Sequence, residues 1–211
     1  MNRRHYTVMT IDDHRAAARE WSTVHRSVAE FENAIFITLK DGRRAGRSAA
    51  AVCRRIPSTV KRIHKALDRI QVGMGALQFR TLPGDAESAG CWLEVATLES
   101  AAIVPQATGA WAVDQHITAA RALGPAQPAV RRFLDIIQLR RHLPVRIMDD
   151  AIRVLHLLQF LRCQMEDLQF YSLRGRGIPW VNCWLGLFNY FDGGAVGSPD
   201  MCSTALELEV N

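Results

Sequence analysis

Long apolar runs are missing from this 211-residue chain. The richest apolar stretch, Trp180 to Phe191, is too short for a bilayer and is interrupted by polar residues, so no membrane span is expected. The N-terminal MNRRHYTVMTIDDHR has no apolar core and no cleavage pattern, and a signal peptide is not expected either. Cysteine is scarce and scattered. Cys53, Cys91, Cys163, Cys183 and Cys202 are odd in number and form no CxxC or Cys/His pair at zinc spacing. They read as reduced thiols in a cytoplasmic protein. Signatures of catalysis are absent too: there is no phosphate loop, no HExxH and no nucleophile elbow. Asp12-Asp13-His14 and Asp149-Asp150 invite a metal reading, but adjacent acids on a helix point in different directions. A helix N-terminal charge is their commoner role. His64, His116, His142 and His156 read as surface or satisfied core histidines. No enzyme activity, cofactor or metal is expected.

What the chain has is concentrated basic charge. The formal net charge is +5. From Lys40 to Arg80 eleven Lys or Arg stand against two acids, Asp41 and Asp68. From Arg121 to Arg146 six Arg stand against Asp135 alone, and beyond Arg146 the acids outnumber the bases. Such clustering is a solvated face or a polyanion-binding one.

The two basic regions share a pattern. Ala49 and Ala50 align with Ala119 and Ala120, Val60 with Val130, Ile63 with Phe133 and Leu67 with Ile137. Lys61 and Arg62 align with Arg131 and Arg132. This register predicts a duplicated unit. In each copy a short helix with small residues precedes a break, at Gly124-Pro125 in the second and at Arg54 to Pro57 in the first. A second helix follows, apolar on the Val60, Ile63, Leu67 or Val130, Phe133, Ile137 face and basic on the other. Two helices joined so form a helix-turn-helix. Trp21 to Leu39 has helical spacing for a helix behind the first unit, and Trp92 to Val104 reads similarly before the second. Asp149 to Tyr171 reads as a long helix with a packing or dimerisation stripe of Ile152, Leu155, Leu158, Leu161 and Met165.

These residues resemble the DNA-binding domain of LysR-type transcription regulators. Ala119, Ala120, Leu123, Gly124, Gln127, Pro128, Ala129, Val130 and Arg132 match that pattern in spacing. Ala49, Ala50, Ser58, Thr59, Val60, Arg62, Leu67 and Asp68 match it in the first copy. Leu77 with Phe79 resembles the start of the wing, and Ser88-Ala89-Gly90 the opening of the family's linker helix. The resemblance covers about residues 25 to 170 and leaves no room for the family's ligand-binding domain. It implies a mainly α fold, with two tandem winged helix-turn-helix units joined by long helices and carrying small β-wings. The units would be 1–90 and 91–170, the second with a linker or dimerisation helix, followed by an aromatic-rich extension at 171–211.

The expected function is that of a sequence-specific regulator of transcription binding double-stranded DNA through two readers per chain. Ser58, Thr59, Lys61, Gln127 and Arg131 would reach base edges, beside Arg62, Lys65, Pro128 and Arg132 on the same helices. Arg54, Arg55, Arg80, Arg140, Arg141 and Arg146 would hold phosphates. The chain would bind as a pseudo-dimer, or as a homodimer through the 149–171 helix or the 180–191 aromatic segment. The alternative is a helical protein–protein adaptor acting through a partner without touching DNA.

Overall fold

Apolar residues recur at three- and four-residue spacing through most of the chain, and those runs are helices in the computed structural model. It describes residues 8–43, 46–82, 91–92, 95, 111–138, 140, 143–173 and 183–184. The helices are α1 (Ile11–Gly42), α2 (Arg47–Thr81), α3 (Trp111–Leu123), α4 (Ala126–Ile137) and α5 (Val145–Leu173). Among the described residues there is no strand and no helix long and apolar enough to cross a membrane.

Local signals explain the helix ends. Thr10 and Asp13 form a reciprocal capping pair at the start of α1: the Thr10 amide donates to Asp13 Oδ2 at 2.9 Å and the Asp13 amide to Thr10 Oγ1 at 3.2 Å. Gly46, at φ 132°, turns the chain into α2 through a conformation that side-chain-bearing residues rarely adopt.

The first expected helix-turn-helix does not form. Helix α2 runs unbroken through Pro57 for 35 residues. Proline removes one backbone N–H, but Cys53, Ile56, Val60 and Ile63 are all buried along one stripe that holds both sides of it to the core. Leu77 and Phe79, expected to open a wing, lie in the last turns of the same helix. Val145-Arg146-Ile147, where the resemblance puts the wing of the second unit, form the first turn of α5 instead. The Ser88-Ala89-Gly90 motif lies outside the described residues, as do most of Trp92 to Val104 and nearly all of the 171–211 extension.

The break at Gly124-Pro125 does form, but the chain does not fold back there. Pro125 keeps helical angles, φ −68° and ψ −19°. The Gly124 amide still donates to the Ala120 carbonyl at 2.9 Å. Helices α3 and α4 scarcely touch each other; both pack along α1. The apolar set Ala119, Ala120, Leu123, Ala126, Ala129, Val130, Phe133 and Ile137 is entirely buried. It makes one stripe, and reversing the chain at Gly124 would pull half of it off α1. Residues 111–137 are therefore a single kinked rod.

Four rods result, each antiparallel to its neighbours. Thr81 lies against His14, the Trp21 indole donates to the Leu67 carbonyl at 3.3 Å, and His64 meets Glu32, so α2 runs opposite to α1. Arg132 meets Glu20 and Arg140 meets Asp13, so α4 runs opposite to α1 too. Arg69 pairs with Asp150, and Gly73 faces Ile147, reversing α5 against α2. A Cβ on Gly73 would stand 3.2 Å from Ile147 Cγ1 and Cδ1, which is why a glycine sits at this close crossing. Helix α2 touches α1 and α5 but hardly α3 or α4. It occupies the diagonal opposite the kinked rod.

The bundle is an internal duplication, in a register different from the one expected. Ala119-Ala120 correspond to Ala17-Ala18, not to Ala49-Ala50. Asp12, His14, Ala17, Ala18 and Arg19 on α1 recur as Asp114, His116, Ala119, Ala120 and Arg121, and Val28, Phe31 and Ile35 recur as Val130, Phe133 and Ile137. On α2, Arg55, Ile56, Arg62, Leu67, Met74, Leu77, Gln78 and Phe79 recur on α5 as Arg146, Ile147, Arg153, Leu158, Met165, Leu168, Gln169 and Phe170. Cys91-Trp92-Leu93 recurs as Cys183-Trp184-Leu185. Geometry repeats with sequence. Trp92 meets Phe133 edge-on at 6.4 Å and 81°, and Trp184 meets Phe31 at 6.2 Å and 82°. An approximate two-fold axis thus exchanges α1 with the kinked rod and α2 with α5. The boundary expected near residue 90 separates two halves of one packed bundle.

A candidate nucleic-acid-binding face and two buried histidine stations

Apolar burial on one side of α2 leaves its other side to water. Arg54, Ser58, Lys61 and Lys65 fall in one outward row at helical spacing, with Arg55 beside them, and all are exposed. Arg62 is half-buried at the edge. Arg43 and Arg47 extend the basic run toward the start of the helix. No acid occurs on α2 before Asp68. Asp68, one turn beyond Lys65, closes the row on α2; from other helices, Glu32 of α1 is held by His64 at 2.7 Å, and Asp167 of α5 lies in the field of Arg55.

The second half of the chain is an internal control for this charge. The α5 counterparts of Arg54, Ser58, Lys61 and Lys65 are Val145, Asp149, Ile152 and His156. Both helices fold and bury the same stripe. The basic row is thus not something the bundle requires; one half carries it and the other does not.

The remaining expected contacts scatter. Thr59 is buried at 2% exposure, its hydroxyl turned to the Arg55 carbonyl at 3.4 Å, so it meets no base. Arg80 is exposed near the far end of α2, about 22 Å along the helix from Lys65. Arg131 and Arg132 are exposed on α4, with Gln127 and Pro128 half-buried in the turn before them. Arg132 donates through Nε and Nη2 to Glu20, each at 2.9 Å. Arg140 donates to Asp13 at 2.8 Å and to the Ile136 carbonyl at 3.2 Å, fastening the end of α4 to the cap of α1. Arg146 is exposed in the first turn of α5, and Arg141 lies outside the described residues. The expectation that the second helix of each unit is apolar inside and basic outside holds for both α2 and α4. They stand on opposite diagonals, however, so their basic faces look away from each other.

His14 and His116, the latter expected among surface or satisfied core histidines, occupy two equivalent buried stations whose tryptophan partners the sequence reading missed. At one, His14 is fully buried; its Nδ1 accepts the Trp92 indole N–H at 3.3 Å and its Nε2 faces Thr81 Oγ1 at 3.4 Å. Cys91 beside it donates to Gln78 at 3.0 Å. At the other, His116 Nδ1 accepts the Trp184 indole N–H at 3.4 Å, while Gln169 donates to Cys183 Sγ at 3.2 Å and accepts the Cys183 amide. Ser172 stands where Thr81 does, its hydroxyl buried and unpartnered among the described residues. An indole nitrogen can only donate. Both imidazoles are therefore neutral, with Nδ1 bare. Burial pushes His116 down to about 4 and lowers His14 as well, the latter opposed by Asp13. His25, on α1, is also pushed down to about 4 by burial, against the pull of Asp68. The signal that could have revealed these stations is the double occurrence of Asp-x-His-x-x-Ala-Ala-Arg and of Cys-Trp-Leu.

No three His, Cys, Asp or Glu side chains among the described residues are arranged to hold a metal. The Asp12-Asp13-His14 group serves instead as a helix cap and a buried station. Comparison with known protein families, curated proteins and solved structures found no match for this chain.

Proposed function

We propose that the chain binds double-stranded DNA through the phosphate backbone, using the outer face of α2. The observation that carries this reading is the row Arg54, Lys61 and Lys65, unbroken by an acid and replaced on the equivalent face of α5 by Val145, Ile152 and His156, while Arg55 and Arg62 alongside it recur there as Arg146 and Arg153. A charge that the fold does not need is explained by a partner. Phosphates are its natural complement, because each lysine or arginine that neutralises one releases condensed counterions. A duplex fits better than a single strand. Unpaired bases are held by stacking on aromatic side chains, and no aromatic residue lies on α2 before Phe79.

Regulation of transcription and preference for a sequence are the finer parts of the proposal. They would rest on α2 entering a major groove with Ser58 and Lys61 toward base edges. One duplex would not meet α4 at the same time, since α4 faces the other way.

Retention of a random-sequence duplex over a range of salt tests the reading. The logarithm of affinity should fall linearly with the logarithm of salt. The variant Arg54→Ala/Lys61→Ala/Lys65→Ala should bind more weakly and lose roughly 3 from the magnitude of that slope, about one for each phosphate contact. Arg131→Ala/Arg132→Ala should leave it unchanged. An unchanged slope in the triple α2 variant would refute the proposal. The adaptor reading is favoured by exposed apolar residues elsewhere on α2, and it gives no duplex retention at any salt.

A further inference from the structure

Val72 is 72% exposed, Phe79 81% and Val145 74%, with Ile152 at 41%. These side chains gather at one end of the bundle. The Arg69–Asp150 ion pair and the Gly73–Ile147 contact bring the last turns of α2 against the first turns of α5. Val72 and Phe79 therefore stand beside Val145, with Ile152 one or two turns along. An apolar group of this kind on a surface marks an interaction site. Duplication again shows that the fold does not demand it. The counterparts of Val145 and Ile152 in the first half are Arg54 and Lys61, and the counterpart of Val72 is Cys163. Only Phe79 has an apolar counterpart, Phe170, which is less than half as exposed and packs edge-on against Tyr171 at 5.4 Å.

We propose that this end of the bundle, centred on Phe79, Val72 and Val145, is the docking surface for a second copy of the same chain. The charges around it select that occupant. Asp68 and Asp149 are exposed at its border, and so are Arg80, Arg146 and Arg153. A two-fold contact brings each surface against itself, so acids of one copy must find bases of the other. A border carrying both signs provides for that. A nucleic acid would meet Asp68 and Asp149, and a strongly acidic or basic peptide would meet like charges. The docking surface adjoins the proposed DNA face without sharing a residue with it: its nearest member on α2, Val72, lies about 10 Å along the helix from Lys65, and its centre at Phe79 about 21 Å. The dimer would carry two basic rows on one particle, raising affinity for a long duplex through effective concentration.

Sedimentation velocity of the full chain without DNA tests the proposal independently of the DNA reading. The wild type should sediment as a dimer at a concentration on the order of 10 μM. Phe79→Glu should raise the dimer dissociation constant at least tenfold. Because Phe79 is exposed, far-UV circular dichroism should not change, and the melting temperature should fall only by the stabilisation that association supplied. Val72→Glu should do the same, whereas Phe170→Ala, away from this end, should leave the dimer intact. A monomeric wild type overturns the proposal, as does a Phe79→Glu variant that dimerises like the wild type. A wild type that stays monomeric but retains another protein overturns it too, in favour of the adaptor reading.

Discussion

Trp184→Ala is expected to cost about 3–5 kcal/mol of folding stability, and Trp92→Ala nearly as much. Each indole is almost wholly inside, at 0% and 2% exposure. Each joins the two halves of the bundle. Trp184 donates to His116 in its own half and packs edge-on against Phe31 of the other; Trp92 donates to His14 and packs against Phe133. Truncation to alanine leaves a cavity and strips a buried imidazole of its donor. In a chain of this size each kcal/mol lowers the melting temperature by about 2–4 °C, so either variant should melt on the order of 10 °C earlier. Trp184→Phe separates the two contributions. It keeps an aromatic ring at the contact but loses the N–H and part of the indole's volume, and should cost less than the alanine change, about 1–3 kcal/mol, much of it through the unpartnered nitrogen. Urea unfolding of the three variants measures all of this. If Trp92→Ala costs several kcal/mol and Trp184→Ala less than one, the stations are not equivalent and the two-fold account of the bundle fails.

The helical character was legible in the sequence because amphipathic spacing is a local property. Val24, Val28, Phe31 and Ile35 face the core as their spacing predicts, and so do Leu158, Leu161 and Met165. Ile152 departs from its stripe and faces water. Legibility failed where a local break had to be turned into a tertiary direction. Pro57 is the less clean punctuation and the Gly124-Pro125 pair the strong one, yet neither reverses the chain. One lies inside a straight helix and the other marks a kink, and the outcome is set by which partner helix offers a continuous apolar bed. The repeat was misregistered for a related reason. An Ala-Ala pair followed by apolar and basic residues recurs in any small-faced amphipathic helix, so α2 and α4 could be aligned by composition class. Identities in the polar positions, such as His14 with His116 and Gln78 with Gln169, carry the true register. They are kept in both halves because they are paired to the tryptophans and cysteines. The basic face of α2 needed both levels: its residues were visible in the sequence, but only the comparison with α5 separates them from an ordinary solvated face.

Acidification from pH 7 to pH 5 should remove about 3–4 kcal/mol of stability, most of it through His25 and His116. Burial pushes both from the ordinary 6.5 down to about 4. Between those values the unfolded chain takes up a proton that the folded chain refuses. Their contribution is therefore fully present above pH 6.5 and is lost as the pH falls toward 4. At pH 5 each of the two has given up about 2 kcal/mol. His14 is lowered by the same burial and acts in the same direction. His64 opposes them: its hydrogen bond to Glu32 raises it, so its stabilisation is complete below 6.5 and is lost as the pH rises through its folded value. Glu166 and Asp167, raised by burial, likewise favour the folded chain on the acid side. Asp150, lowered by Arg69, begins to matter only as the pH drops below its ordinary 3.8. The sum still falls with acid, because burial acts on three imidazoles and an ion pair supports one. Urea unfolding at pH 7, 6 and 5 measures it. His116→Gln supplies the decisive comparison, since a glutamine oxygen can accept the Trp184 N–H and does not titrate. That variant should lose about 2 kcal/mol less than the wild type over the same interval. Equal losses would mean that His116 takes up its proton as readily in the folded chain as in the unfolded one, and the buried station would have no part in the acid response.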